Sequence, residues 1–275
     1  MEETQDPEGG VTVFRCERWE EFGPEVRRMV GKRLGMRLYR GHGNPDWTLS
    51  SLWERRLLFA LEAQDDRSVV RRYKPLLRSY LAAFKEQVKG LPGQTSDGRA
   101  DENEWWALGR HHGLITPLLD WTESPYIAAF FAFLDAVEES NKGFKIGMRS
   151  GPGTLGALFF PKGTVVIWAL VLTSDLEVPG EFRIIDARRD DYHRQRAQQG
   201  RFTCLTHDEF QDLESYLISR GLAANLERYE IPAREALRAL RDLELMGITY
   251  GRLFPDLEGA AIHANIGSSP FFGDC

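Results

Sequence analysis

Apolar positions recur along the chain at two spacings, and each spacing predicts a set of elements. Trp19, Phe22, Val26 and Val30 lie on one face of a helix that has Pro24 near its start. Val69, Tyr73, Leu76, Leu77, Tyr80, Leu81, Phe84 and Val88 mark a longer helix over 68–88, kinked at Pro75. Glu102 to Arg110 reads as a short helix. Ser124-Pro125 opens another that runs through Val137, with Ser as a cap and Pro as a first helical residue. Glu209 to Leu217 and Ala233 to Met246 are also helical; the latter has Pro232 at its start and a stripe of Leu237, Leu240 and Leu243. Short apolar or β-branched runs predict strands at Val11 to Phe14, Leu38 to Arg40 and Phe182 to Ile185. Leu155 to Phe160 and Thr164 to Leu172, split by Pro161-Lys162-Gly163, read as a hairpin. Leu91 to Gly98 reads as a loop, and the chain from Ile262 onward is weakly patterned. The expected organisation is a disordered tail over 1–10, one α+β domain over 11–265 and a C-terminal tail over 266–275.

Composition narrows the function classes. With 275 residues and a hydrophobic fraction of 42%, the chain has enough apolar mass for a real core. The net charge of −6 argues against coating nucleic acid by bulk electrostatics. Cys16, Cys204 and Cys275 are too few and too far apart for a disulfide framework or a metal knuckle. The acidic start without an apolar run predicts no signal peptide, and no run of about 18 apolar residues predicts a membrane span. A cytoplasmic protein with reduced thiols is expected.

Several motifs fail on context. Gly151-Pro152-Gly153-Thr154-Leu155-Gly156 matches a dinucleotide fingerprint, but a strand-like run follows where a helix is required. His111-His112 has neither the helical spacing nor the partners of a zinc site, so no metal is expected. His207-Asp208-Glu209 reads as a helix start, and Arg188-Arg189 is offset by Asp190-Asp191.

Three segments carry chemistry. In Tyr39-Arg40-Gly41-His42-Gly43, an arginine at a strand end has a planar fork suited to phosphate, and glycines allow close backbone approach; a plain hairpin turn with a surface arginine is the other reading. The stretch from Arg110 to Pro125 mixes His, Asp, Trp, Thr and Ser before an apolar helix. Thr122 and Ser124 offer hydroxyls at a strand-to-helix junction and Trp121 a flat face for a base; alternatively Asp120 and Ser124 cap the helix and Trp121 is core. Asp120 is expected to be a buried or half-buried carboxylate bonded to backbone N–H groups or to Arg40. In Arg194 to Thr203, the amides of Gln198 and Gln199 beside Gly200 suit sugar hydroxyls, or form a polar loop.

In this order the three segments resemble the FRG domain family, named for an aromatic-Arg-Gly motif matched by Tyr39-Arg40-Gly41. The resemblance runs from Trp19 and Phe22 through Trp47-Thr48-Leu49, Arg55, the block from His112-Gly113 to Ser124-Pro125, and Gln198, Gly200 and Phe202. It ends at Leu253 to Gly259 and so covers most of residues 14–260. FRG domains are similar to the ADP-ribosyltransferase fold. That resemblance implies a split mixed β-sheet flanked by helices in a single domain, with NAD as substrate. It implies NAD binding by Tyr39, Arg40, Gly41, His112 and Trp121. Thr122 and Ser124 would position the nicotinamide ribose ahead of an Ala-rich helix at Ala128-Ala129-x-Phe131-Ala132. Gln198 or Gln199 would take the third motif's place, with Glu258 a later acidic candidate. The implied activity is NAD-dependent ADP-ribosyl transfer to protein or nucleic acid, or NAD hydrolysis, in a toxin or phage-defence effector. Because an amide stands where a carboxylate would stabilise a positive ribose, a non-catalytic NAD or nucleotide sensor, or an interaction module on the same fold, is the alternative.

Overall fold

The computed structural model describes residues 2–5, 10–32, 35–64, 73–91, 101–146, 161–174, 176, 181–186, 193–206 and 212–267. Among the described residues, eight strands form one mixed sheet: β1 (Glu2–Gln5), β2 (Thr12–Arg15), β3 (Arg37–His42), β4 (Leu118–Thr122), β5 (Thr164–Val171), β6 (Phe182–Ile185), β7 (Gly200–Leu205) and β8 (Leu226–Pro232). Their order across the sheet is β1-β2-β8-β5-β3-β4-β7-β6, with β2 and β8 parallel and the other pairs antiparallel. Strand β5 is apolar on both faces because both faces are covered, which is why its sequence shows no alternation.

Helices α1 (Phe22–Lys32), α5 (Pro125–Ile146) and α8 (Ala236–Leu245) lie on one face of the sheet, in a core that includes Phe22, Tyr39, Phe133, Ile167, Tyr229 and Leu243. The opposite face packs Leu38, Trp121, Trp168 and Leu170 against α7 (Leu213–Ser219) through Leu213, Tyr216 and Leu217. A third core joins α3 (Tyr73–Val88) and α4 (Glu102–His111) to Leu118, Phe202 and Cys204. Helices α2 (Leu52–Gln64), α6 (His193–Ala197), α9 (Tyr250–Leu253) and α10 (Leu257–Gly267) complete the described elements.

The sheet is split between β3 and β4. These strands share a single ladder pair, Tyr39 with Thr122, whereas β3 and β5 pair over six residues and β4 and β7 over five. Helix α5 presses on β3 beside that split. A Cβ on Gly41 would lie 1.9 Å from the Ala128 carbonyl oxygen, and one on Gly43 would lie 2.6 Å from the Ala136 nitrogen. The two glycines and the alanines of α5 therefore let helix and strand backbones touch.

Several expectations are corrected. Residues 2–5, assigned to a disordered tail, form a strand held by backbone pairing with β2. Strands β3 and β8 pair with β5 on its two edges, and residues 155–160, the other arm of the expected hairpin, lie outside the described residues. The weakly patterned end carries the last turns of α10, and Val30, placed on the apolar face of α1, is 47% exposed. The fingerprint at 151–156, His207-Asp208-Glu209 and Arg188-Arg189 lie outside the described residues. Cys16 and Cys204 are buried, free thiols. Among the described residues, no helix is long and apolar enough to cross a membrane.

Candidate functional site: an arginine cluster at the split in the sheet

Arg40 sits where the β3–β4 ladder stops. Its Nη1 donates to the backbone carbonyl of Asp120 at 2.8 Å, a β4 acceptor one step beyond the last ladder pair. Its Nε donates to Nε2 of His42 at 3.0 Å; the two side chains share a face because they are two residues apart on a strand. A guanidinium carries five N–H donors. Two are used here, and among the described residues no acceptor lies on Nη2. The half-buried cation is thus fixed on two sides and open on a third.

The surroundings concentrate positive charge in an otherwise acidic protein. Burial lowers the Arg40 pKa, and the nearby cations Arg55 of α2 and Arg110 of α4 add to that effect; Asp120 and Asp135 oppose it. Arg110 is partly neutralised by Asp120, with Nη2 to Oδ2 at 2.7 Å. Among the described residues, Arg55 pairs with no carboxylate. His42 is 2% exposed, and its pKa is lowered to about 3 by burial and by Arg40, Arg55 and Arg228, so the imidazole is neutral. This set can accept an anion: an added negative charge would relieve the mutual repulsion of the arginines and fill the open Nη2.

The other sequence candidates divide into three groups. Tyr39, Gly41 and Trp121 are structural. Tyr39 is 3% exposed in the core beneath α5, where burial pushes its hydroxyl pKa up to about 12. Gly41 faces the α5 backbone, so the closeness it permits is to a helix. Trp121 is 4% exposed and donates Nε1 to Thr203 Oγ1 at 2.9 Å, which leaves no open ring face for a base.

Thr122, Ser124 and Gln198 form a junction beside the split. Thr122 Oγ1 donates to the Gln198 carbonyl at 2.7 Å and accepts from the Ser124 N–H at 3.1 Å. The Ser124 hydroxyl accepts from Ile127 N–H and caps α5. The Gln198 amide donates to the Leu253 carbonyl at 3.2 Å. Gln199 stands in the left-handed region at φ 49° and accepts from Glu123 N–H at 3.0 Å.

His112 and Glu258 lie outside that junction. His112 is exposed just past the end of α4, in edge contact with His111. Glu258 is exposed in the first turn of α10 and pairs with Arg194 at 2.8 Å, beside an Arg194–Asp256 pair. Asp120 is half-buried as expected, but its carboxylate takes Arg110 and only its backbone oxygen takes Arg40. Sequence reasoning missed His42 as a partner of Arg40, although the strand period was a usable signal. It also missed Asp135, which no local pattern marks.

Residues 36–141 match the model of the FRG domain. The matched span contains Arg40, His42, Arg55, Arg110, Asp120 and Asp135, and excludes Gln198 and Glu258. No curated protein and no solved structure matches the chain.

Proposed function

We propose that this FRG-domain protein binds a phosphate-bearing ligand of the NAD class at the β3–β4 split, on an ADP-ribosyltransferase-like frame, with Arg40 gripping the phosphate. The open Nη2 edge of Arg40, held by His42 and Asp120 and flanked by Arg55 and Arg110, carries this reading. A planar guanidinium fixed in this way loses little freedom when it pairs with an oxyanion. At the neighbouring junction the Ser124 hydroxyl, which there only accepts, has a proton to donate to a ribose, and the Gln198 amide, which there only donates, has an oxygen to accept from one.

ADP-ribosyl transfer or NAD hydrolysis is the further step of this proposal. It needs stabilisation of a positive ribose, and the acidic candidate Glu258 is engaged with Arg194. That engagement favours binding without turnover as the second reading, a nucleotide sensor on the same frame.

Isothermal titration of the wild type and Arg40→Lys with NAD tests binding. Lysine cannot donate to His42, Asp120 and a phosphate from one plane, so the variant is expected to bind about 1–3 kcal/mol more weakly while staying folded. Equal affinities, or no binding by the wild type at millimolar NAD, would overturn the proposal. Nicotinamide release measured on the same samples separates enzyme from sensor.

A further inference from the structure

We infer that His42 is a positioning residue that aims Arg40 at its ligand by acting as a hydrogen-bond acceptor through Nε2. This inference rests on the reading of Arg40 as an anion ligand and assigns the control of that arginine to a second side chain. The Arg40 Nε–H points at His42 Nε2 across 3.0 Å. Arginine is always charged and only donates, so Nε2 must be the bare nitrogen and the ring must carry its proton on Nδ1. The ring is almost fully buried and meets Trp47 edge-on at 5.9 Å, which limits its rotation.

The charged groups facing His42 all favour the neutral acceptor, and they outweigh the backbone of Trp47, which acts the other way. Arg40 lies on its own strand, Arg55 comes from α2 and Arg228 from β8, and each opposes a positive imidazole. A protonated His42 would present an N–H to the Arg40 N–H, and the guanidinium would lose one of its two anchors. His42 is therefore no general acid or base here. Its role is to hold the Arg40 plane so that Nη2 stays open.

The test has one arm without ligand and one with it. In the wild type, nitrogen NMR of the imidazoles should show His42 as a single neutral tautomer, protonated on Nδ1, from neutral pH down to about pH 5. A proton on Nε2, or an ordinary titration near pH 6.5, would overturn the inference.

In the second arm, inorganic pyrophosphate and NAD are titrated into His42→Gln and His42→Asn. A glutamine oxygen reaches the place of Nε2, whereas asparagine reaches only that of Nδ1. His42→Asn should weaken both ligands about tenfold, the scale of one hydrogen bond to a charged group, and His42→Gln should stay within about threefold. Wild-type affinity in a folded His42→Asn, or equal losses in both variants, would argue for a purely structural histidine. Should the wild type bind neither ligand, the NAD reading fails and the NMR arm still decides the tautomer.

Discussion

Gly41 and Ala128 meet so closely that the strand carrying Arg40 and the helix following Ser124 have no room for a side chain between them. A Cβ on Gly41 would lie 1.9 Å from the Ala128 oxygen and 2.8 Å from the Ala132 nitrogen. Gly41 thus sets the distance between β3 and α5. Gly41→Ala is expected to cost at least about 3 kcal/mol, because the obstructing atoms are backbone and cannot turn aside. Gly31, in the last turn of α1 with nothing within 4 Å, provides the contrast, and Gly31→Ala should gain a few tenths of a kcal/mol, up to about 1 kcal/mol at most. Urea unfolding of both variants checks the pair of signs.

Asp120→Asn should have a small effect on stability. Its carboxylate pairs with Arg110, but the two side chains are 44% and 31% exposed. A pair open to solvent contributes about 1 kcal/mol or less, below the 1.5–3 kcal/mol scale of a buried charged hydrogen bond. The same change removes a negative charge near Arg40 and is expected to tighten pyrophosphate binding. Thermal melts and calorimetry on one preparation read both effects, and a large loss of stability would contradict this account.

Trp121→Phe distinguishes core from ligand contact. The variant keeps most of the apolar bulk and loses the bond to Thr203, for a cost of about 1–2 kcal/mol. NAD affinity should not change. A clear loss of affinity with unchanged stability would return Trp121 to the binding site.

Two buried groups give the stability curve opposite slopes. His42 has its pKa lowered to about 3, so its contribution is intact above about pH 6.5 and is lost as pH falls toward 3, where the unfolded chain binds the extra proton. Glu54, buried in a capping box with Ser51, has its pKa raised to about 7 by burial. Its contribution is intact below about pH 4.5 and is lost as pH rises through 7, because the folded state then holds the proton the unfolded chain has released. Glu54→Gln should improve relative to the wild type between about pH 4.5 and 8, by at most about 3 kcal/mol. Denaturant midpoints across that range test it, and a parallel pH dependence in both proteins would show that Glu54 is ionised throughout.

Local pattern was sufficient for some elements because their information lies within a few residues. Ser124-Pro125 predicts the start of α5, and Phe182 to Ile185 is the strand β6. The split mixed sheet came from the resemblance that the order of motifs carries. Pattern failed where burial is not one-sided. Helix α2 has apolar residues around its circumference, with Phe59 75% exposed, so no stripe announces it. Strand β8 breaks the alternation of charged and apolar residues at Glu227, which is buried with Arg37 at 3.4 Å, an interaction that exists only once β8 and β3 are two strands apart.

The sequence by itself determined that Arg40 and His42 share one strand face and that Tyr39 and Gly41 share the other, since strand side chains alternate. It did not determine which face meets α5 and which carries the arginine at the split. That was decided when α5 settled on Gly41 and Gly43, which buried Tyr39 and left the Arg40 edge at the split. The same packing brought Arg55 and Arg110, from helices distant in the chain, within electrostatic reach of Arg40. Alternation along a strand is fixed by covalent geometry, whereas the choice of covered face and the gathering of charges depend on contacts between residues far apart in sequence.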